Sequence, residues 1–310
     1  MAEKETINSE GLFPPKIVQD IFSKVKGHST IAKLVDSEPM PMVGTSEWIL
    51  SMDGEASVVA EGTPKPAGKG KIQPKIIKPF KVLYQMRVTD EFLKMSDEEM
   101  LPHMEKFKDG FAKKLARAID IVGIHGIDPA SRTALPWKDT NSIDGECYLL
   151  PFSEHMGIDV DAACSNVSQA GYVVNGVAFS PMAAQWMGDE VNETNGFHEF
   201  PDFRFGAVPD NFAGGKCDKN TTIGYTELIE GSDGEVEGDA DLVIVGDFST
   251  IKWGYGQDVT FEVIEFGDPD GQGDLKRSNE VVLRAEAYIG LGILDPDAIS
   301  GVKITEEQSE

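Results

Sequence analysis

Nucleophiles, bases and metal ligands come first, because their types and spacing decide what chemistry a chain can do. Cys147, Cys164 and Cys217 are odd in number and far apart, with no Cys-x-x-Cys pair to hold zinc or exchange disulfides. They read as reduced, buried thiols. The five histidines form neither His-Glu-x-x-His nor His-x-His, and only His198, beside Glu199, has polar company that suits a metal; it reads as a loop histidine. Gly62 to Gly70 resembles a phosphate loop, but its spacing to Gly68-Lys69 is one residue too long and Gly70 stands where Ser or Thr would hold Mg²⁺. Gly290-x-Gly292 lacks the third glycine of a dinucleotide fingerprint and runs into Asp295-Pro296. Asp268-x-Asp270-x-x-Gly273-Asp274 starts like a calcium loop, yet Asn279 stands where the bidentate carboxylate belongs, so Asp and Gly do turn work there. The acidic run Glu230 to Asp241 reads as a solvated loop. No Gly-x-Ser-x-Gly elbow is present. The chain therefore reads as a non-enzyme, with no catalytic residues, no cofactor site and no metal site.

Charge narrows the partners. The formal net charge is −25 over 310 residues. Residues 1–120 hold 18 Lys/Arg and 18 Asp/Glu, whereas residues 121–310 hold 10 against 35, so the whole excess lies in the second part. A nucleic-acid binder would be basic, because neutralising phosphates supplies the affinity. Contact with DNA should be loose. Apolar runs are short and broken by Gly or Pro, well under the ~20 residues of a membrane span, and Met1 to Glu10 lacks the features of a secretory signal. The expected place is the cytoplasm that makes the chain.

The elements that would position these residues follow from periodicity. A polar arm precedes a short amphipathic stretch, Ile17 to Val25, whose helix would start at Pro14-Pro15. Residues 44–90 alternate apolar and polar positions around a Gly/Pro/Lys-rich centre, Glu61 to Lys71, which predicts a long β-hairpin. Between Gly62 and Arg87 stand six lysines, at 65, 69, 71, 75, 78 and 81, and no acid. Met100, Met104, Phe107, Phe111, Leu115, Ala118, Ile119 and Val122 make one helical stripe. A capping box at Ser96-x-x-Glu99 competes with Pro102 as its start, and Gly123 or Gly126 closes it. Helices near Asp159–Gln169 and Pro181–Val191 sit in a compact α+β region. Leu242–Val245 and Val259–Ile264 read as strands joined through Gly246-Asp-Phe-Ser249 and Trp253-Gly-Tyr255, and Val281–Ile289 as one more strand.

This order, together with Ala56 to Gly62, Ile76 to Leu93, Val243 to Ser249 and Val282-Leu-Arg284 through Ile299, resembles the shell subunits of tailed bacteriophages with the HK-ninety-seven-type capsid fold. The resemblance covers most of residues 45–300. It implies an α+β fold with an N-terminal arm (1–43), an extended β-hairpin loop (44–85), a peripheral domain with the long spine helix (86–145), an axial domain (146–245) and closing strands shared by both domains (246–310). The implied function is a major capsid protein that self-assembles into the icosahedral head shell around the genome.

Several further expectations hang on that resemblance. Lys65, Lys69, Lys71 and Lys75 would make intersubunit contact with an acidic neighbour, and assembly should weaken as salt rises. Some relatives weld neighbours with a Lys–Asn bond promoted by a Glu; Asn279 and Glu286 stand at similar positions, with Lys69 or Lys71 to supply the amine. Partners would be further copies as hexamers and pentamers, a scaffolding protein, since the arm leaves no room for a long assembly segment, the portal, a decoration protein, and loosely held double-stranded DNA, with no membrane. The destination would be the virion, with assembly in the host cytoplasm. Within the same fold the alternative is an encapsulin shell around a cargo enzyme. Outside it stands an acidic β-rich binding module using Trp48, Trp137, Trp186 and Trp253.

Overall fold

The computed structural model describes residues 21, 24–53, 56, 58–59, 67, 69–95, 97–192, 194–224 and 240–304. The helix start at Pro14-Pro15, the Ser96 cap, Lys65 and most of the 230–241 acidic run lie outside them. Residues 24–28 are helical, and α1 (Thr30–Leu34) follows, capped by the Ser29 hydroxyl on Ala32 N–H.

Alternation builds the hairpin as the sequence predicts: β1 (Thr45–Asp53) and β2 (Lys69–Ile77) pair antiparallel from Thr45 opposite Ile77 to Asp53 opposite Lys69. Nine residues per strand give a reach of about 30 Å. The hairpin stops at Ile77, because Pro79 has no N–H with which to extend the ladder. Phe80 to Gln85, expected within the extended loop, lie instead in β3 (Phe80–Thr89).

The long helix α2 spans Asp97–His125 and runs through Pro102 rather than starting at it. As the sixth residue of the helix, Pro102 removes the N–H that would bond the Glu98 carbonyl, so one rung of the ladder is missing there. Its stripe is buried as predicted, with Met104, Phe111, Leu115 and Ile119 almost inaccessible. It packs on a three-stranded antiparallel sheet ordered β3-β10-β9, where β9 is Ile251–Ile264 and β10 is Glu280–Ile293. Phe107 and Phe111 both meet Phe261 of β9 edge to face, with centroids 6.2 and 6.0 Å away. Trp253-Gly-Tyr255 lies inside β9 and is no connection between strands, because the alternation Ile251, Trp253, Tyr255 carries the strand through it. Of the two expected stops, Gly126 is the one used: it takes φ +64°, and a Cβ there would sit 2.8 Å from Lys138 Cα.

A second core forms on a six-stranded sheet ordered β4-β11-β8-β5-β7-β6. These strands are β4 (Tyr148–Pro151), β5 (Gly176–Phe179), β6 (Asn211–Phe212), β7 (Gly215–Lys219), β8 (Ala240–Gly246) and β11 (Ile299–Ile304). Every residue of β8 is buried, which explains its unbroken Leu-Val-Ile-Val run. Short helices α3 (Lys138–Asn141) and α4 (Ile143–Glu146) lead from the spine into this sheet. Helices α5 (Met156–Gln169) and α6 (Pro181–Asp189) supply the rest of its core, α6 opened by the Ser180 cap with Pro181 at its first position. Helix α7 (Leu275–Ser278) precedes β10.

Candidate assembly interface

The hairpin is amphipathic in register. Because side chains alternate along a strand and directly paired residues share a face, Ile72, Pro74 and Ile76 share one face with Trp48, which pairs with Pro74. Glu47, paired with Lys75, lies on the other with Ile77. That second face turns to the body of the subunit. Ile77 is buried against Gly292, Glu47 receives Lys252 at 3.1 Å, and Lys75 Nζ lies 2.6 and 2.7 Å from the two oxygens of Glu146. The apolar face looks outward: Trp48 is 70% exposed, Ile72 63% and Ile76 60%.

The predicted contact lysines therefore separate. Lys75 is engaged within its own subunit and only partly exposed, which removes it from a neighbour's reach. Lys71 is exposed and Lys69 opens β2. The residues expected to support a cross-link do not meet in one subunit. Asn279 is the left-handed C-cap of α7, at φ +55°, just before β10 begins. Glu286 lies seven residues on in β10, roughly 23 Å along a strand, ion-paired at 2.7 Å with Lys81 of β3.

The loop with calcium-like spacing holds a cation of its own. Arg87 Nε donates to Asp270 at 2.8 Å, Nη1 to Glu280 at 2.8 Å and Nη2 to the Gly273 carbonyl at 2.8 Å, with Asp268 at 3.5 Å. Its hydrogen bonds hold the Asp270 carboxyl down at about 2. His198, weighed as a metal ligand, instead accepts a hydrogen bond from Arg204.

Sequence reading missed a different cluster. At the end of α2, His125 sets Nδ1 2.8 Å from Asp144 and 3.7 Å from Asp241, and its Nε2 2.8 Å from the Thr222 carbonyl. These three are the group of possible ligands among the described residues. The 2.8 Å approach of His125 Nδ1 to Asp144 is a direct hydrogen bond. Burial is the largest single influence and raises the Asp144 carboxyl, but the interactions with His125, Asp241 and Lys138 together outweigh it and leave it below the ordinary value. Here the spine helix is tied to β8 of the second core. Asp120, one turn earlier and fully buried, accepts from Ser29 Oγ (2.6 Å), Thr30 N–H (3.0 Å), Ile31 N–H (3.1 Å), Thr222 Oγ1 (2.9 Å) and Asn220 Nδ2 (3.1 Å). It anchors α1 to the spine. The cysteines are all free: Cys217 is buried, Cys147 and Cys164 half-buried, and burial pushes the Cys147 and Cys217 thiols up to about 12. Such thiols are poor nucleophiles.

Comparison with known proteins agrees with this architecture. Residues 10–127 match the phage capsid family. No curated protein matches the chain significantly. A solved chain of Mycobacterium phage Ogopogo is similar with TM-score 0.74 and 25% identity, over 90% of this chain and 92% of that one. One of Gordonia phage Cozz gives TM-score 0.71 and 24% identity, over 90% and 87%. The capsid of a native GTA particle gives 0.57 and 15%, over 87% and 88%. The chain has the mixed α and β, HK-ninety-seven-type fold of tailed-phage capsid proteins, and its residues 10–127 carry the match to the phage capsid family. It is a major capsid protein, a structural component of the virion whose copies assemble into the head shell.

Proposed function

We propose that copies of this chain close the shell as hexamers and pentamers through the hairpin, whose apolar face docks on a neighbouring subunit. The observation that carries this reading is the exposure of Trp48, Ile72 and Ile76 on one face of a two-stranded ribbon. A ribbon of that kind is marginal alone in water, and such a patch marks a contact. The heterologous geometry, one copy's hairpin on the next copy's body, is what generates closed rings. Lys71, exposed although on the Lys75 side of the ribbon, adds attraction to an acidic neighbour at the rim, a pair worth only ~0–1 kcal/mol. Residues 86–145 with the closing strands of 246–310 act as the peripheral domain, and 146–245 as the axial domain around which capsomers close. Scaffolding, portal and decoration proteins are the partners of the head in this reading, DNA lies loosely inside the acidic shell, and assembly takes place in the host cytoplasm.

Assembly is non-covalent in this reading, because Glu286 is ion-paired with Lys81 of its own subunit and a cross-link between neighbours would have to break that pair first. Denaturing gels of particles should show monomer alone; a ladder of multimers would restore the Lys69 or Lys71 cross-link to Asn279. The docking is tested with Trp48→Asp and Ile72→Asp. Each should leave the melting temperature of the subunit unchanged and raise the concentration needed for particles by on the order of tenfold or more, the scale of uncovering one large apolar side chain. Particles forming at the wild-type concentration would sink this reading.

A further inference from the structure

Phe205 departs from ordinary packing in two ways at once. It is 97% exposed, and it sits in the left-handed region at φ 60°, ψ 27°, followed by Gly206 at φ +67°. A bulky non-glycine residue there is strained, and such strain is held only where the surroundings fix it. They do so here. Two residues earlier Phe203 is buried against Phe179 and Phe212, with both centroids 5.1 Å away, and Lys219 Nζ donates to the Gly206 carbonyl. The Arg204 guanidinium lies 5.1 Å from the Phe205 ring and donates to the His198 ring, next to Phe197, which is 73% exposed. Two outward aromatic rings and an arginine are thus presented on a rigid base. Preorganised aromatic and Arg clusters of this kind carry most of the energy of protein contacts.

Charge says what the patch meets. Residues 146–245 contain 18 Asp/Glu and only three Lys/Arg, namely Arg204, Lys216 and Lys219. Two of those three adjoin Phe205. A basic, aromatic patch on an otherwise acidic unit complements the remainder of the same unit in another copy, which favours a contact from one copy to the next in register.

We infer that Phe205, flanked by Arg204 and Phe197, is the anchor through which one copy's axial region grips an acidic face of the adjacent copy within a capsomer. This rests on the shell reading above and is separate from the hairpin contact. Phe205→Gly removes the ring and suits the left-handed backbone, so the subunit should melt at or above the wild-type temperature. The full-length chain, wild type and Phe205→Gly, is followed by sedimentation velocity and negative-stain microscopy over a range of concentrations, with Arg204→Glu as a second variant. The expected result is that both variants need roughly tenfold higher concentration to form capsomers and particles. Wild-type rings with both variants assembling at the wild-type concentration would overturn this contact alone. A wild-type chain that stays monomeric throughout would overturn the shell reading and this contact with it.

Discussion

Single residues hold the units of this subunit together, and two of them are titratable in informative ways. Arg87 joins β3 to the 267–274 loop and the start of β10 by a planar fork that an ammonium cannot reproduce. Arg87→Lys should therefore behave nearly like Arg87→Ala, and hydrogen exchange in residues 267–274 should rise in both. Because the folded Asp270 carboxyl lies at about 2, below its ordinary value, its contribution is complete above the ordinary carboxylate range and is lost as pH falls through about 2. Protection of that loop should fade over this interval and not above it. Asp120 has the opposite sign. Burial pushes its carboxyl up to about 6 against five donors, so the folded state binds the proton more tightly than the unfolded chain. Stability should decline as pH rises from the ordinary carboxylate range to about 6 and level off above. Asp120→Asn should remove that slope and cost roughly 1–3 kcal/mol, since buried donors then compete for one carbonyl. Melting temperature against pH for the two proteins checks both statements.

At the scale of elements, the helix and hairpin were legible because each repeats its period for long enough. The stripe from Met100 to Val122 and the alternation around residues 45–77 survive unchanged in the structure. What the sequence did not reveal is which way the hairpin faces. Lysines drew attention as the rare cations, but the register puts Lys75 with Glu47 on the side that turns inward, where Glu146 takes it. The exposed Trp48, Ile72 and Ile76 carried a signal in their shared parity that charge counting passes over. The His125, Asp144 and Asp241 cluster was not legible, since its members come from α2, α4 and β8 and only the fold brings them together. Phe205 was equally hidden, because a left-handed phenylalanine leaves no trace in composition. Gly126 was one of two expected stops, and the close approach of Lys138 explains why it is the one used. Gly126→Ala should destabilise the subunit by roughly 1–2 kcal/mol, through the positive φ and the collision together, as a denaturant midpoint would show.

For the whole molecule, charge sets the conditions and apolar surface sets the contact. Subunits of net charge −25 repel one another, and the cation of Lys75 is neutralised internally. Raising salt from low values to about 0.15 M should therefore favour assembly by screening the repulsion, opposite to the trend expected if hairpin lysines dominated the contact, with light scattering as the readout. The central claim is that the outward face of the hairpin is covered by another copy. Hydroxyl-radical footprinting of dissociated subunits against assembled particles tests it directly, reading oxidation at Trp48, Ile72 and Ile76. These three residues should be several-fold protected in particles, on the scale of taking a mostly exposed side chain out of water. Equal oxidation of Trp48 in subunits and particles would contradict it.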